Sequence, residues 1–138
     1  MKMEMPDSPS ADEALKLAER MGVFGEWPRV LCVCSAAINR SPTAAWVLSR
    51  PPYNCTAISA GSHAYKALVA VTQPLLNWAQ RVVFINQDNY ALVRDLGLRV
   101  PEEVYVLNIP DSFSYRDPEL IKEIRKELTA ANFPAFME

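Results

Sequence analysis

The chain of 138 residues has room for one domain of ordinary size, and with 50% of its residues hydrophobic it can fill a core. Fourteen basic against sixteen acidic residues leave a net charge of -2 with no basic tract, and no apolar run approaches the ~20 residues that cross a bilayer, so neither a nucleic-acid nor a membrane partner is expected. Three cysteines in no paired spacing, with His63 the single histidine, make neither a disulfide framework nor a closed metal site; no metal or cofactor is expected.

Residues 1–28 read as a helical extension ahead of an α/β domain at 29–138. Met1 to Pro9 mix Lys, Glu and Asp, unlike a secretory leader, and the cytoplasm is the expected location. Ser10-Ala11-Asp12-Glu13 is a capping-box pattern, Ala14, Leu17, Ala18 and Met21 follow at helical spacing, and Gly22 is a natural end. One apolar face of this kind serves either for packing beside the core or for contact with a partner.

Arg29 to Cys34 is a short, almost wholly apolar run, the pattern of a central strand covered on both faces. A turn of small residues follows. Ser41 then reads as a helix cap with Pro42 at the first helical position, Trp46, Val47 and the alanines on the buried side, and Arg50-Pro51-Pro52 as the stop. Thr56 to Ser59 reads as a second strand ending at Gly61. Leu68, Val71, Leu75 and Trp78 have helical spacing over 68–78, although Pro74 interrupts it.

Arg81 to Ile85 is the next buried strand, followed by a helix from Asp88 to Leu96 that ends at Gly97. Val104 to Leu107 is a fourth strand, and Asp117 caps a last helix whose first residue is Pro118, with Leu120, Ile121, Ile124 and Leu128 on one side. Strands alternating with helices imply a three-layer αβα fold with a four-stranded parallel sheet. In such sheets ligands bind beyond the carboxyl ends of the strands, which is where Cys34, Ile85 and Leu107 end theirs.

The first of these loops carries the chemistry. Cys34-Ser35-Ala36-Ala37-Ile38-Asn39-Arg40 separates a cysteine from an arginine by five residues, between a buried strand and a Ser-Pro helix start. Five residues curling from strand to helix aim successive backbone N–H groups inward and form an anion nest. The Arg40 guanidinium adds planar donors suited to phosphate oxygens. The same field stabilises a thiolate on Cys34, placed for in-line attack on phosphorus, and the Ser41 hydroxyl is a donor for that sulfur. Ser35, Ala36, Ala37, Ile38, Asn39, Arg40 and Ser41 are therefore the candidate phosphate-binding residues. The plain alternative makes Cys34 a small buried hydrophobe and Arg40 a surface cation.

Val30-Leu31-Cys32-Val33-Cys34, the loop, and Arg40-Ser41-Pro42-Thr43-Ala44 together resemble the opening of the low-molecular-weight protein tyrosine phosphatase family, in particular its short bacterial and phage branch. Ser59-Ala60-Gly61-Ser62, Leu76-Asn77-Trp78-Ala79 before Val82 to Ile85, Ile109-Pro110-Asp111, and Tyr115 to Leu120 resemble later segments of that branch in the same order. The resemblance implies hydrolysis of phosphotyrosine, or of a small aryl phosphate, through a phosphocysteine intermediate, with a phosphorylated protein as partner. It implies Cys34 as nucleophile, Arg40 as phosphate clamp, Ser41 as the hydroxyl beside the sulfur, and an aspartate on a late loop as general acid. Asp111 stands at the corresponding place. Asp117 is the alternative acid, but it already serves as a helix cap.

Phe113, Tyr115 and Tyr90 are candidates to line a groove for an aromatic ring. Where the family loop carries Gly-Asn or a similar pair, this chain has Ala36-Ala37, which loosens a nest that glycine and asparagine would tighten. A phosphate-binding or phosphoprotein-binding module without turnover is accordingly the alternative function. Arsenate reduction is a lesser one, with Cys55 as the loop-proximal thiol it would need.

Overall fold

The computed structural model describes residues 28–36, 39–63 and 69–134. The helix expected at Ser10 to Met21 and the loop residues Ala37 and Ile38 lie outside them.

The apolar run Arg29–Cys34 forms strand β1, and every residue after Arg29 is buried. It is central because both of its edges are paired. Strand β2 (Thr56–Gly61) lies parallel on one side and β3 (Arg81–Phe84) parallel on the other, with β4 (Glu103–Val106) outside β3, in the order β2-β1-β3-β4. The register sets Cys34 opposite Gly61 and Val33 opposite Phe84.

Successive side chains of β1 alternate between two cores, as strand geometry requires. Val30, Cys32 and Cys34 pack with Val47 and Leu48 of helix α1 (Arg40–Leu48) and with Leu120, Ile124 and Leu128 of α4 (Pro118–Ala130). Leu31 and Val33 pack on the opposite face with Leu75 and Leu76 of α2 (Gln73–Trp78) and Val93 of α3 (Gln87–Asp95). The fold is thus three-layered, with helices covering both faces of a four-stranded parallel sheet, as the alternation of strand and helix patterns implies. Fully burying one such aliphatic side chain contributes about 1.5–3 kcal/mol, so these two clusters are the main support of the sheet.

Three helix starts differ from expectation. Leu68 lies outside the described residues, and from 69 to 78 the chain is helical only from Gln73: Pro74 lacks an N–H and therefore belongs to the first turn, so it opens α2 instead of interrupting a longer helix. Just ahead of it Thr72 is extended and Ala70 is bridged in parallel to Gly61. Helix α1 starts one residue before Ser41, with Asn39 at the cap position and no side-chain cap bond, because the buried Ser41 hydroxyl turns toward the sheet. Helix α3 is capped by Asn86, whose side chain and that of Asn89 reciprocally bond each other's backbone N–H. Asp117 caps α4 as expected, accepting from the Glu119 N–H at 2.8 Å.

Candidate active site

The chain leaves β1 for β2 on one side and reaches β3 on the other, so a crevice opens between β1 and β3 at their carboxyl ends. Cys34 closes β1 at the floor of that crevice and is 3% exposed. Its carbonyl accepts the Ser62 N–H at 2.8 Å, and the Ser35 carbonyl accepts the His63 N–H at 3.0 Å, so β2 holds the start of the loop as a continued ladder. The Cys34 thiol donates to Ser41 Oγ at 3.1 Å, and Ser41 Oγ in turn lies 3.5 Å from the Ala60 carbonyl. That second contact is at the limit of a hydrogen bond. A hydroxyl held so weakly is free to turn and donate to a thiolate.

Arg40, the first residue of α1, is 5% exposed. A charge buried to that degree requires partners. Its NH1 donates to the Ile109 carbonyl at 3.1 Å, and its Nε lies 3.5 Å from Asp111 Oδ1 on a carboxylate that is 69% exposed. The loop after β4 thereby supplies both contacts to the arginine of the loop after β1.

The loop after β3 locks the other two. Asn86 Nδ2 donates to the Ile109 carbonyl at 2.9 Å while Asn86 Oδ1 accepts the Ile109 N–H at 3.0 Å. Asn89, fully buried, donates from Nδ2 to Ser62 Oγ at 3.0 Å and to Ser35 Oγ at 3.3 Å, and accepts the Asn86 N–H on Oδ1 at 3.1 Å. Ser62 Oγ also lies 3.1 Å from His63 Nδ1. Sequence reasoning missed Asn86, Asn89 and Ser62. Two asparagines three residues apart after a buried strand are a capping signal, which an expected helix start at Asp88 passes over.

Cys34, Arg40, Ser41 and Asp111 therefore converge on one crevice. Ser35 is tethered there by Asn89, Ala36 is half-buried in the loop, and Asn39 offers its carbonyl to both the N–H and the hydroxyl of Thr43, at 3.1 and 2.7 Å. Asp117, by contrast, uses its carboxylate to cap α4. Of the aromatic candidates, Tyr90 packs on Phe84 at 4.9 Å between centroids and Phe113 packs on the α1/α4 core, whereas Tyr115 is 49% exposed.

Cys55 is not loop-proximal. It precedes β2 at the end of the sheet opposite Cys34, roughly 20 Å away at ~3.3 Å per residue. Burial pushes its thiol up to about 11 despite the nearby Arg81 guanidinium, and burial likewise raises Cys32 well above the ordinary thiol range. Cys32 shares the face of Cys34 but is wholly enclosed in the core. Among the described residues no three His, Cys, Asp or Glu side chains cluster to hold a metal ion, and no helix is long and apolar enough to cross a membrane.

The three-layer arrangement, a four-stranded parallel sheet in the order β2-β1-β3-β4 between helices, is a low-molecular-weight-phosphatase-like fold. No family profile matches the chain, and no curated protein matches its sequence. Solved structures do match. The YwlE arginine phosphatase from Geobacillus stearothermophilus aligns over 75% of this chain and 87% of its own with a TM-score of 0.55 and 19% identity. The tyrosine phosphatase Wzb from Escherichia coli, in complex with phosphate, aligns over 76% and 93% with a TM-score of 0.53 and 18% identity. A thioredoxin-dependent arsenate reductase from Corynebacterium glutamicum aligns over 88% and 70% with a TM-score of 0.50 and 18% identity. The likeness to these proteins is one of fold.

Proposed function

We propose that this chain hydrolyses phosphate monoesters, with an aryl phosphate such as phosphotyrosine on a protein as its substrate. The observation that carries the reading is the contact, at 3.1 Å, of the Cys34 thiol with the Oγ of Ser41, next in sequence to the buried Arg40. Arg40 presents five N–H donors in a planar fork, and a phosphoryl group displaces the long 3.5 Å contact to Asp111 when it takes up that fork. The Cys34 thiolate attacks phosphorus in line, forming the S–P bond as the P–O bond to the leaving group breaks. Asp111, released from Arg40 at the mouth and protonated there from solvent, gives that proton to the departing phenolate. Water then attacks phosphorus and loses a proton to Asp111 as the S–P bond breaks, and the Ser41 hydroxyl donates to the sulfur that leaves.

A second reading keeps the cradle for phosphate binding alone. It is favoured by Ala36 in the loop and by the pairing of the exposed Asp111 carboxylate with Arg40. Arsenate reduction by an internal thiol relay gains no support, since Cys55 lies at the far end of the sheet.

The deciding experiment assays the purified protein with p-nitrophenyl phosphate, phosphotyrosine and phosphoarginine, beside Cys34→Ser. Turnover of the aryl esters that disappears in the variant is the expected result. No turnover, with phosphate binding lost in Arg40→Ala, establishes the binding module instead.

A further inference from the structure

Arg116 lies five residues after Asp111 and folds back over the first turn of α1, where its N–H donates to Thr43 Oγ1 at 2.9 Å. The same hydroxyl donates to the Asn39 carbonyl at 2.7 Å, so two hydrogen bonds separate Arg116 from the phosphate loop. Its backbone is left-handed, at φ +59°, a conformation unfavourable for any residue with a side chain. That backbone aims its guanidinium at Trp46, with Cζ 4.6 Å from the ring centroid, and Arg50 stacks on the same ring at 4.2 Å. Both arginines are exposed, and the ring beneath them is half-buried. Among the described residues neither forms an ion pair; the pairs there are Arg40–Asp111 and Arg81–Glu103.

Two cations on one indole are closer together than the ~10 Å Debye length at 0.1 M salt, so they repel. Each guanidinium lies over the ring, exposed and without an ion-pair partner among the described residues, so its N–H donors remain available to an oxyanion. Trp46 lies six residues along α1 from Arg40, ~9 Å of helix axis. A single aryl phosphate is too short to reach both. An extended peptide, at ~3.3 Å per residue, covers that distance in about three residues.

We propose that Arg116 and Arg50, stacked on Trp46, form a subsite for the carboxylate of an acidic residue two or three positions from the phosphorylated side chain of a peptide substrate. The subsite rests on the phosphatase reading only in that the phosphoryl group occupies the Cys34 loop.

The test compares kcat/KM for a phosphotyrosine peptide carrying glutamate two and three residues to each side with that for its alanine counterpart. The acidic peptide is expected to be preferred about 3- to 10-fold at low salt, the preference vanishing at 0.5 M NaCl. The double variant Arg50→Gln, Arg116→Gln loses the preference while its turnover of p-nitrophenyl phosphate is unchanged. Arg116→Glu, a charge reversal at an exposed site, makes the alanine peptide the better substrate. Equal values for the two peptides in the wild type, or a preference that survives both variants, overturns the subsite. Absence of turnover on every substrate would sink the phosphatase reading alone. The subsite is then read from fluorescence anisotropy of the same peptide pair, and equal Kd values overturn it.

Discussion

The side chain of Asn86 pairs with the backbone of Ile109 through two hydrogen bonds, donating to its carbonyl at 2.9 Å and accepting from its N–H at 3.0 Å. An amide side chain here takes the place that a neighbouring strand would fill, joining the loop after β3 to the loop after β4. The Ile109 carbonyl also receives Arg40, so the position of that guanidinium depends on a residue that does not touch it.

Asn86→Ala removes this pairing and the cap of α3 together, and is expected to cost about 2–3 kcal/mol of stability. Turnover should fall further than stability implies, by ~10–100-fold, because misplacement of a catalytic group by even ~1 Å is that costly. Denaturant melts beside kcat measured well below the midpoint separate the two effects. Wild-type kcat in a destabilised variant would show that Arg40 needs no such support.

Asp111 and Asp117 should separate cleanly by substitution. Asp117→Ala removes the acceptor for the Glu119 N–H and is expected to lose ~1 kcal/mol of stability with the shape of the pH–rate profile kept. Asp111→Asn leaves stability nearly unchanged, since its exposed contact with Arg40 is worth ~0–1 kcal/mol, but removes the alkaline limb of the profile. The opposite pattern would transfer the acid role to Asp117.

Ser41→Ala tests the hydroxyl beside the sulfur. Among the described residues its other side-chain hydrogen bond is the 3.5 Å approach to the Ala60 carbonyl, so the fold should barely respond. Turnover should drop roughly 10²-fold, the scale for losing one donor to a developing anion. On the proposed mechanism the loss is expected at breakdown of the phosphoenzyme, and rapid-quench detection of accumulated S-phosphate checks it.

Cysteine chemistry offers a further check. At pH 7.5 Cys32 and Cys55 are neutral thiols, because burial raises both, Cys55 to about 11. Iodoacetamide should therefore modify neither in the native protein, and mass mapping should find any native label on Cys34. A thiol with its folded value raised contributes stability that is complete below the unfolded value, ~8.5, and is lost as pH rises through the folded one. Denaturant melts between pH 8.5 and 11 should accordingly show falling stability, and Cys55→Ala should flatten that decline.

Much of the architecture is legible without coordinates, because the signals are local. The unbroken apolar run marks β1 over Arg29–Cys34, and Asp-Pro at 117–118 marks the start of α4, since a strand covered on both faces and a capped helix each impose their own residue pattern. Cys34 and Arg40 belong to one loop for the same reason: five residues cannot carry them far apart. Tertiary structure alone decided that β1 lies between β2 and β3, that Asn89 reaches Ser35 across 54 positions of sequence, that Arg40 meets Ile109 across 69, and that Cys55 lies at the far end of the sheet. Such meetings depend on how whole elements pack on one another. No residue pattern within a single element encodes that.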